Sequence, residues 1–365
     1  MPLPLLMSYL LREHLRAFVP CLGGIATVYL VVDFVEKIRK FVAYQAELHH
    51  VLWYFILKCP GILFQIMPLA VLMSTLLALT ILSRHNEITA MRSSGISLYW
   101  VAVPFLAVAQ VLSLLMLWTS DAVIPRANQK AETLREIRIE GRNPRAVFQD
   151  NEIWVRLGDQ TLMRGDLPDD TAPRIYGISL YRLDQNFGIR ELVFAKELRH
   201  EDSGWVLLSG ISRTFDADQM VKSQPFSRLP VQLNQKPEDF RRTIRIESDD
   251  LSLRELASYV ERLRQDGYNP ARFATDLFGR TAFPFVCLIM ALIGITMSLT
   301  ETGTRGTGLV RGVGYSLLVG FLYWTTHSVA LALGRSDVLP PLLAGWTANI
   351  LFLSFAGYLF LRVRQ

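Results

Sequence analysis

The segment Ser83-Arg84-His85-Asn86-Glu87-Ile88-Thr89-Ala90-Met91-Arg92-Ser93-Ser94-Gly95 places a histidine, a carboxylate and two guanidinium groups between two long apolar blocks. His85 and Glu87 do not share a helix face, and no H-E-x-x-H pattern is present, which disfavours metalloprotease chemistry. The segment reads as a short polar helix stopped by Gly95 that presents Glu87 to a partner. An ordinary solvated loop is the plainer alternative. A second cluster, Asp33, Glu36, Lys37, Arg39 and Lys40, closes the first apolar block. Ionisable groups at membrane depth are costly and mark functional sites by default. These charges suit a local ion-pair belt. They also suit a basic rim for a phosphorylated amphiphile, because clustered cations favour phosphate and arginine binds it bidentately.

Other chemistry is weakly supported. Gly303-Thr304-Arg305-Gly306-Thr307-Gly308 is glycine-rich, yet no Lys-Ser or Lys-Thr follows and no strand precedes it, so it is not a phosphate loop. Any ATP energy must then come from another subunit, which would bind the ATP and magnesium. His327, beside Thr325, Thr326 and Ser328, suits an interhelical hydrogen bond better than a proton relay. Cys21, Cys59 and Cys287 lie in or beside apolar blocks and read as buried free thiols. No C-x-x-C pair, Ser-His-Asp or Cys-His arrangement can be argued, and no metal site or cofactor is expected. Glu191, Lys196, Glu197 and Arg199 read as a solvated face.

The elements that must position these residues are set by hydropathy. The 365-residue chain is 51% hydrophobic and 19% charged, below the about 25% charged residues of soluble proteins. Apolar residues concentrate near 17–34, 53–82, 98–119, 273–299, 309–333 and 340–361. Each block approaches or exceeds the roughly 20 residues that span a bilayer. Pro60 and Pro68 fall inside the second, which membrane helices tolerate. The first block lacks a cleavage site and reads as a retained helix. The net charge of +5 fits arginines at cytoplasmic edges better than nucleic-acid binding, since no basic stripe interleaves with aromatics. Short-loop Arg and Lys residues favour cytoplasmic termini, with Lys37, Arg39 and Lys40 against the rule.

The expected fold is a membrane α-helical bundle of six transmembrane helices with an inserted periplasmic all-β domain of jelly-roll type. Residues 1–119 hold helices one to three with a cytoplasmic segment near 83–95, and 120–250 the β domain. Residues 251–272 form a connecting helix and linker, and 273–365 hold helices four to six. Strand-like alternation at Ile153, Val155 and Leu157 is followed by runs at 160–164, 175–183, 189–198, 205–209 and 211–215. Turns are expected at 184–188 and 201–204. Ser252 and Glu255 form a capping-box pattern ahead of Leu253, Leu256, Val260 and Leu263, with Gly267 as the stop.

Taken in order, these pieces resemble a known family. Phe34-Val35-Glu36-Lys37-Ile38-Arg39-Lys40, the stretch Ser83 to Gly95, the return helix from Asp250 through Tyr259 to Gly267, and Pro340-Pro341 look like the LptF/LptG (YjgP/YjgQ) lipopolysaccharide export permeases. The match covers essentially the whole chain and leans toward the LptG branch. The resemblance implies a bacterial inner-membrane subunit of an ATP-binding-cassette transporter that moves lipopolysaccharide and is not itself an enzyme. It implies a cytoplasmic ATPase dimer, a second homologous six-helix permease and a membrane-anchored periplasmic jelly-roll bridge protein as partners. Arg84, Glu87, Met91, Arg92 and Gly95 would belong to the element that meets the ATPase. Lys37, Arg39 and Lys40, with Glu36 and Asp33, would meet the lipid. Where LptG proteins can carry a Lys, this chain has Asp33, which would repel phosphate or pair with Lys37 at i+4. The rival readings are a mechanotransmission permease that conducts no lipid and an intramembrane enzyme acting on envelope lipids. The second would have to draw on Asp33 and His327.

Overall fold

The computed structural model describes residues 3–140, 146–149, 152–156, 160–166, 174–184, 188–201, 204–216, 219–231, 248–265, 269–300 and 308–362. The chain divides into two units, one of Met1–Glu140 with Ser248–Gln365 and one of Gly141–Glu247.

The first unit is helical. Its first half comprises α1 (Leu3–Ala43), α2 (Leu48–Arg84), α3 (Glu87–Ser93), α4 (Leu98–Ala122) and α5 (Ile124–Leu134), ending in one π-helical turn at Arg135–Ile139. Its second half begins with a 3-10 turn at Ser248–Asp250. It continues through α6 (Leu253–Gln265), α7 (Ala271–Ala282), a 3-10 turn at Phe283–Phe285, α8 (Val286–Thr300), α9 (Gly308–Arg335) and α10 (Pro341–Arg362). Six stretches are long and apolar enough to cross a membrane: Leu5–Ala43, Leu48–Arg84, Leu98–Ala122, Ala271–Leu299, Gly312–Arg335 and Pro341–Leu361. The fourth joins α7 and α8 through the turn at Pro284. Pro20, Pro60, Pro68 and Pro104 lie inside helices that continue past them.

The α7–α8 span is central, with 72% of its apolar window buried, against 11% for α1. Around it pack Leu72 of α2, Ala109 and Met116 of α4, Tyr323 of α9 and Phe352 of α10, against Val286, Met290 and Ile293. Helices in lipid gain little from burial between them, so close contact depends on small residues. Gly345 of α10 shows this: a Cβ there would sit 2.7 Å from the Phe278 carbonyl carbon and 2.8 Å from the Gly279 nitrogen. At 41 residues α1 is about 60 Å long, roughly twice the hydrocarbon thickness. The sequence block at 17–34 therefore marks only its middle.

The second unit is one antiparallel sheet of seven described strands. They are β1 (Ala146–Gln149), β2 (Glu152–Arg156), β3 (Thr161–Asp166), β4 (Arg174–Leu183), β5 (Ile189–Glu201), β6 (Gly204–Asp216) and β7 (Gln219–Val231), each pairing with its chain neighbour. Met163, Ile178, Leu180, Val193, Leu198, Trp205 and Leu207 form its core. The inserted β domain is as expected, but the jelly-roll crossovers are not found among the described strands, whose order is a simple meander. The expected runs 205–209 and 211–215 are one strand, β6, because pairing continues on both sides of Ser209 despite its positive φ of 51°. β7 lies at an edge, where Pro225 and Pro230 remove no central ladder bond.

The division near residue 120 also differs from expectation. Residues 124–139 remain helical in the first unit, because Pro125 opens α5 and Ala131 and Ile139 are buried with Phe41, Val51 and Tyr54. The sheet unit accordingly spans 141–247 rather than 120–250. The capping box forms as expected: the Ser252 N–H donates to Glu255 Oε2 at 2.8 Å, and the Glu255 N–H to Ser252 Oγ at 3.3 Å. The expected stop at Gly267, the glycine-rich segment 303–307 and the turn centres at 185–187 and 202–203 lie outside the described residues.

Candidate functional site

Two features of the helical unit hold the residues singled out by sequence. The first is a cavity of about 390 Å³ lined by Tyr29, Asp33 and Lys37 of α1, by Lys58, Phe64 and Gln65 of α2, and by Asn128 of α5. Asp249, then Asp276, Arg280 and Phe283, and finally Trp324, His327 and Arg335 of α9 complete the wall. Asp33 and Lys37 are one helical turn apart and therefore share this face. Lys37 Nζ donates to both Asp33 oxygens, at 2.7 and 2.9 Å. The ammonium also lies 5.5 Å from the centre of the Tyr54 ring, and Lys58 lies 5.9 Å from the same ring. The pairing with Lys37, one of the two roles weighed for Asp33, is formed.

Each other cation of the wall also has an anionic neighbour. Lys58 Nζ lies 3.3 Å from Glu132, Arg335 Nε donates to Asp276 at 2.7 Å, and Arg280 reaches Asp249 at 2.8 Å. Arg280 further donates to the Leu251 carbonyl at 2.7 Å and to the Ser248 carbonyl. Asp276 is 9% exposed and accepts a second hydrogen bond from Ser248 Oγ. The wall thus combines four cations with carboxylates, amides and aromatic faces, which suits an amphiphile with an anionic headgroup. His327 and Asp33 line the same cavity, but among the described residues no hydrogen bond joins them. The His327 ring stacks on Tyr323 at 5.8 Å and faces Phe283 at 5.5 Å, and its Nδ1 is buried without a hydrogen-bond partner.

Not all of the expected rim converges here. Glu36, Arg39 and Lys40 are exposed and do not line the cavity. Arg39 lies off the Asp33–Lys37 face of α1, whereas Glu36 and Lys40, at i+3 from Asp33 and from Lys37, flank that face without reaching the cavity. The sequence reading missed Lys58, Asp276, Arg280 and Arg335. The signal available for Asp276 and Arg280 was an i, i+4 pair of opposite charges inside an apolar block.

The second feature is α3. Asn86 takes a left-handed conformation (φ 60°) that ends α2 and allows a new helix to begin at Glu87. Ile88 is buried and Met91 partly buried against Leu79, Leu82 and Leu98, while Arg84 and Arg92 are exposed. The helix ends in a Schellman motif: the Gly95 N–H donates to the Arg92 carbonyl at 2.9 Å and the Ile96 N–H to the Met91 carbonyl at 3.0 Å. That motif needs a left-handed residue, and Gly95 supplies it at φ 78°. The Tyr9 hydroxyl of α1 donates to Glu87 Oε2 at 2.7 Å. Sequence spacing gave no sign of this link, because the two residues are 78 positions apart.

Known proteins are similar to this chain over nearly its whole length. The family model described as "Lipopolysaccharide export system permease LptF/LptG" matches residues 8–362. The chain is 22% identical over 365 residues to the Haemophilus influenzae protein named lipopolysaccharide export system permease protein LptG, covering 98% of each. It is 21% identical over 341 residues to the protein of that name from Escherichia coli strain K12, covering 91% of each. With six apolar helices, an inserted sheet and a match running nearly end to end, this chain belongs to the LptF/LptG family of lipopolysaccharide export permeases.

Proposed function

We propose that this chain is the LptG-type permease subunit of an ATP-binding-cassette transporter in the bacterial inner membrane. It extracts lipopolysaccharide from the outer leaflet and passes it to a periplasmic β-jelly-roll bridge. The termini face the cytoplasm and the sheet unit faces the periplasm. A cytoplasmic ATPase dimer supplies the energy, and a second homologous permease completes the membrane unit.

The observation that carries this reading is α3. A helix of 7 residues between two spanning helices, apolar inward and charged outward, is a natural contact for a soluble partner. Glu87 is the residue through which nucleotide-driven motion of the ATPase would reach α2 and α4. Its bond to Tyr9 extends that reach to α1, which also bears Asp33 and Lys37. One rigid displacement of α3 would then bias both ends of α1, the kind of two-state element a ligand-driven cycle requires. The cavity favours this reading over a permease that conducts no lipid. In the sheet unit, β1 and β7 are the outer described strands and offer edges for strand pairing with the bridge.

The test is Glu87→Lys in the reconstituted transporter with an unmodified ATPase. Charge reversal should abolish assembly or ATP-driven lipid release. Full release with this variant would refute the role given to Glu87. Purification in mild detergent should bring down an ATPase dimer, a second six-helix permease and a glycolipid.

A further inference from the structure

The corner between α1 and α2 carries side chains that the transport reading does not use. We infer that Glu47, His49 and His50 form a binding site for a borderline divalent transition metal, with zinc as the natural probe. One donor atom from each of the three residues lies within 4.8 Å of the others. Glu47 Oε2 is 3.1 Å from His49 Nδ1 and 3.8 Å from His50 Nδ1. Zinc bonds imidazole nitrogen and carboxylate oxygen at about 2.0–2.1 Å, so tetrahedral geometry separates neighbouring donors by about 3.3–3.4 Å. The two observed separations bracket that value. The third separation, between the two imidazole donors, is within 4.8 Å, so the side chains would adjust to close on a cation. Two histidines and a glutamate are a zinc donor set that leaves the fourth position to water. The imidazoles favour zinc, copper or nickel over magnesium and calcium.

Three further observations support the site. Glu47 is the N-cap of α2, but its side chain makes no cap hydrogen bond, so the carboxylate is not held by the helix backbone and faces the two imidazoles. His50 Nδ1 is buried without a hydrogen-bond partner, and a metal bond would satisfy it. The backbone beneath is well held. The Gln45 N–H donates to the Val42 carbonyl and the Ala46 N–H to the Phe41 carbonyl, both at 3.0 Å, while Val51 and Tyr54 are buried beside Phe41. The positive end of the α2 dipole opposes a cation here, and the Glu47 charge offsets it.

The test uses the full chain, purified in detergent through a histidine-free tag, stripped with chelator and titrated calorimetrically with zinc chloride. X-ray absorption at the zinc edge identifies the donors. One zinc per chain is expected, with nitrogen and oxygen donors only. His49 and Glu47 are 62% and 70% exposed, so His49→Ala and Glu47→Gln should leave the metal-free thermal midpoint unchanged. Each should weaken zinc binding by about tenfold or more. Absence of zinc above the detergent blank would overturn the assignment. Sulfur donors from Cys21, Cys59 or Cys287, or undiminished binding in the double variant, would do so equally.

Discussion

Asp33→Asn should strengthen the hold of the cavity on an anionic headgroup. Lys37 is bonded to both oxygens of Asp33, and the two side chains are 31% and 15% exposed. A phosphate oxygen docking on the free side of the ammonium would sit two hydrogen-bond lengths from the carboxylate, or roughly 5.5 Å. Repulsion between unit charges at that distance is about 3 kcal/mol at an effective dielectric of about 20 and about 0.8 kcal/mol in bulk water. The partial exposure of the pair places the effect between these limits. Asparagine also fixes Lys37 less firmly, which offsets part of the gain. The balance is about 1–2 kcal/mol, or about 5- to 30-fold tighter binding. The assay is retention of lipopolysaccharide by the detergent-purified transporter, counted by mass spectrometry across a salt series. The gain should shrink as salt rises, because the removed repulsion is screened. Equal or weaker retention at low salt, with an unchanged thermal midpoint, would refute this account of Asp33.

On the proposed function, Tyr9→Phe removes the donor that holds Glu87, a bond of about 0.5–1.5 kcal/mol, and so should tighten binding of the purified partner ATPase by about 2- to 10-fold in a surface-capture titration. Gly95→Ala places a Cβ on a left-handed residue and should lower the thermal midpoint, at a cost of about 1 kcal/mol, while leaving the cavity intact. Asp276→Ala leaves Arg335 and Ser248 without their carboxylate; a loss of about 2–4 kcal/mol is expected in detergent thermal unfolding, larger than for Asp33→Asn.

What could be read from sequence was what is local. Six spans were legible because each carries its own apolar length, and the Ser252–Glu255 box because its partners are three residues apart. The i+4 spacing likewise allowed the Asp33–Lys37 pair. The remainder of the cavity comes from α2, α4, α5, α7, α9 and the two 3-10 turns, which only tertiary packing brings together. Lys58 lies inside α2, and only folding sets its ammonium beside Glu132, 74 positions along the chain. β7 was missed because Pro225 and Pro230 mimic a loop, and only its place at the edge of the described sheet makes them acceptable. Composition could not fix where the β unit begins, because the amphipathic α5 is polar enough to resemble a soluble domain while packing on α2.

The pairing of every cation in the cavity wall bears on how a transporter releases what it binds. A permanently bare cation would hold phosphate tightly and keep it. Here each lysine or arginine has a resident carboxylate, so on the proposed function an arriving anion would exchange one partner for another instead of occupying an empty site. The net gain per contact is then a difference between two ion pairs, small enough for a movement of α1 to reverse. On the proposed function, an ATPase that displaces α3 would also shift the helix carrying Asp33 and Lys37, because Tyr9 ties α1 to Glu87. On the proposed function, drawing Asp33 back onto Lys37 would expel the headgroup, with the carboxylate acting as the competing ligand. Asp33→Asn should therefore bind lipid more tightly yet release it more slowly per ATP hydrolysed, a pairing of effects that a merely structural role for Asp33 would not produce.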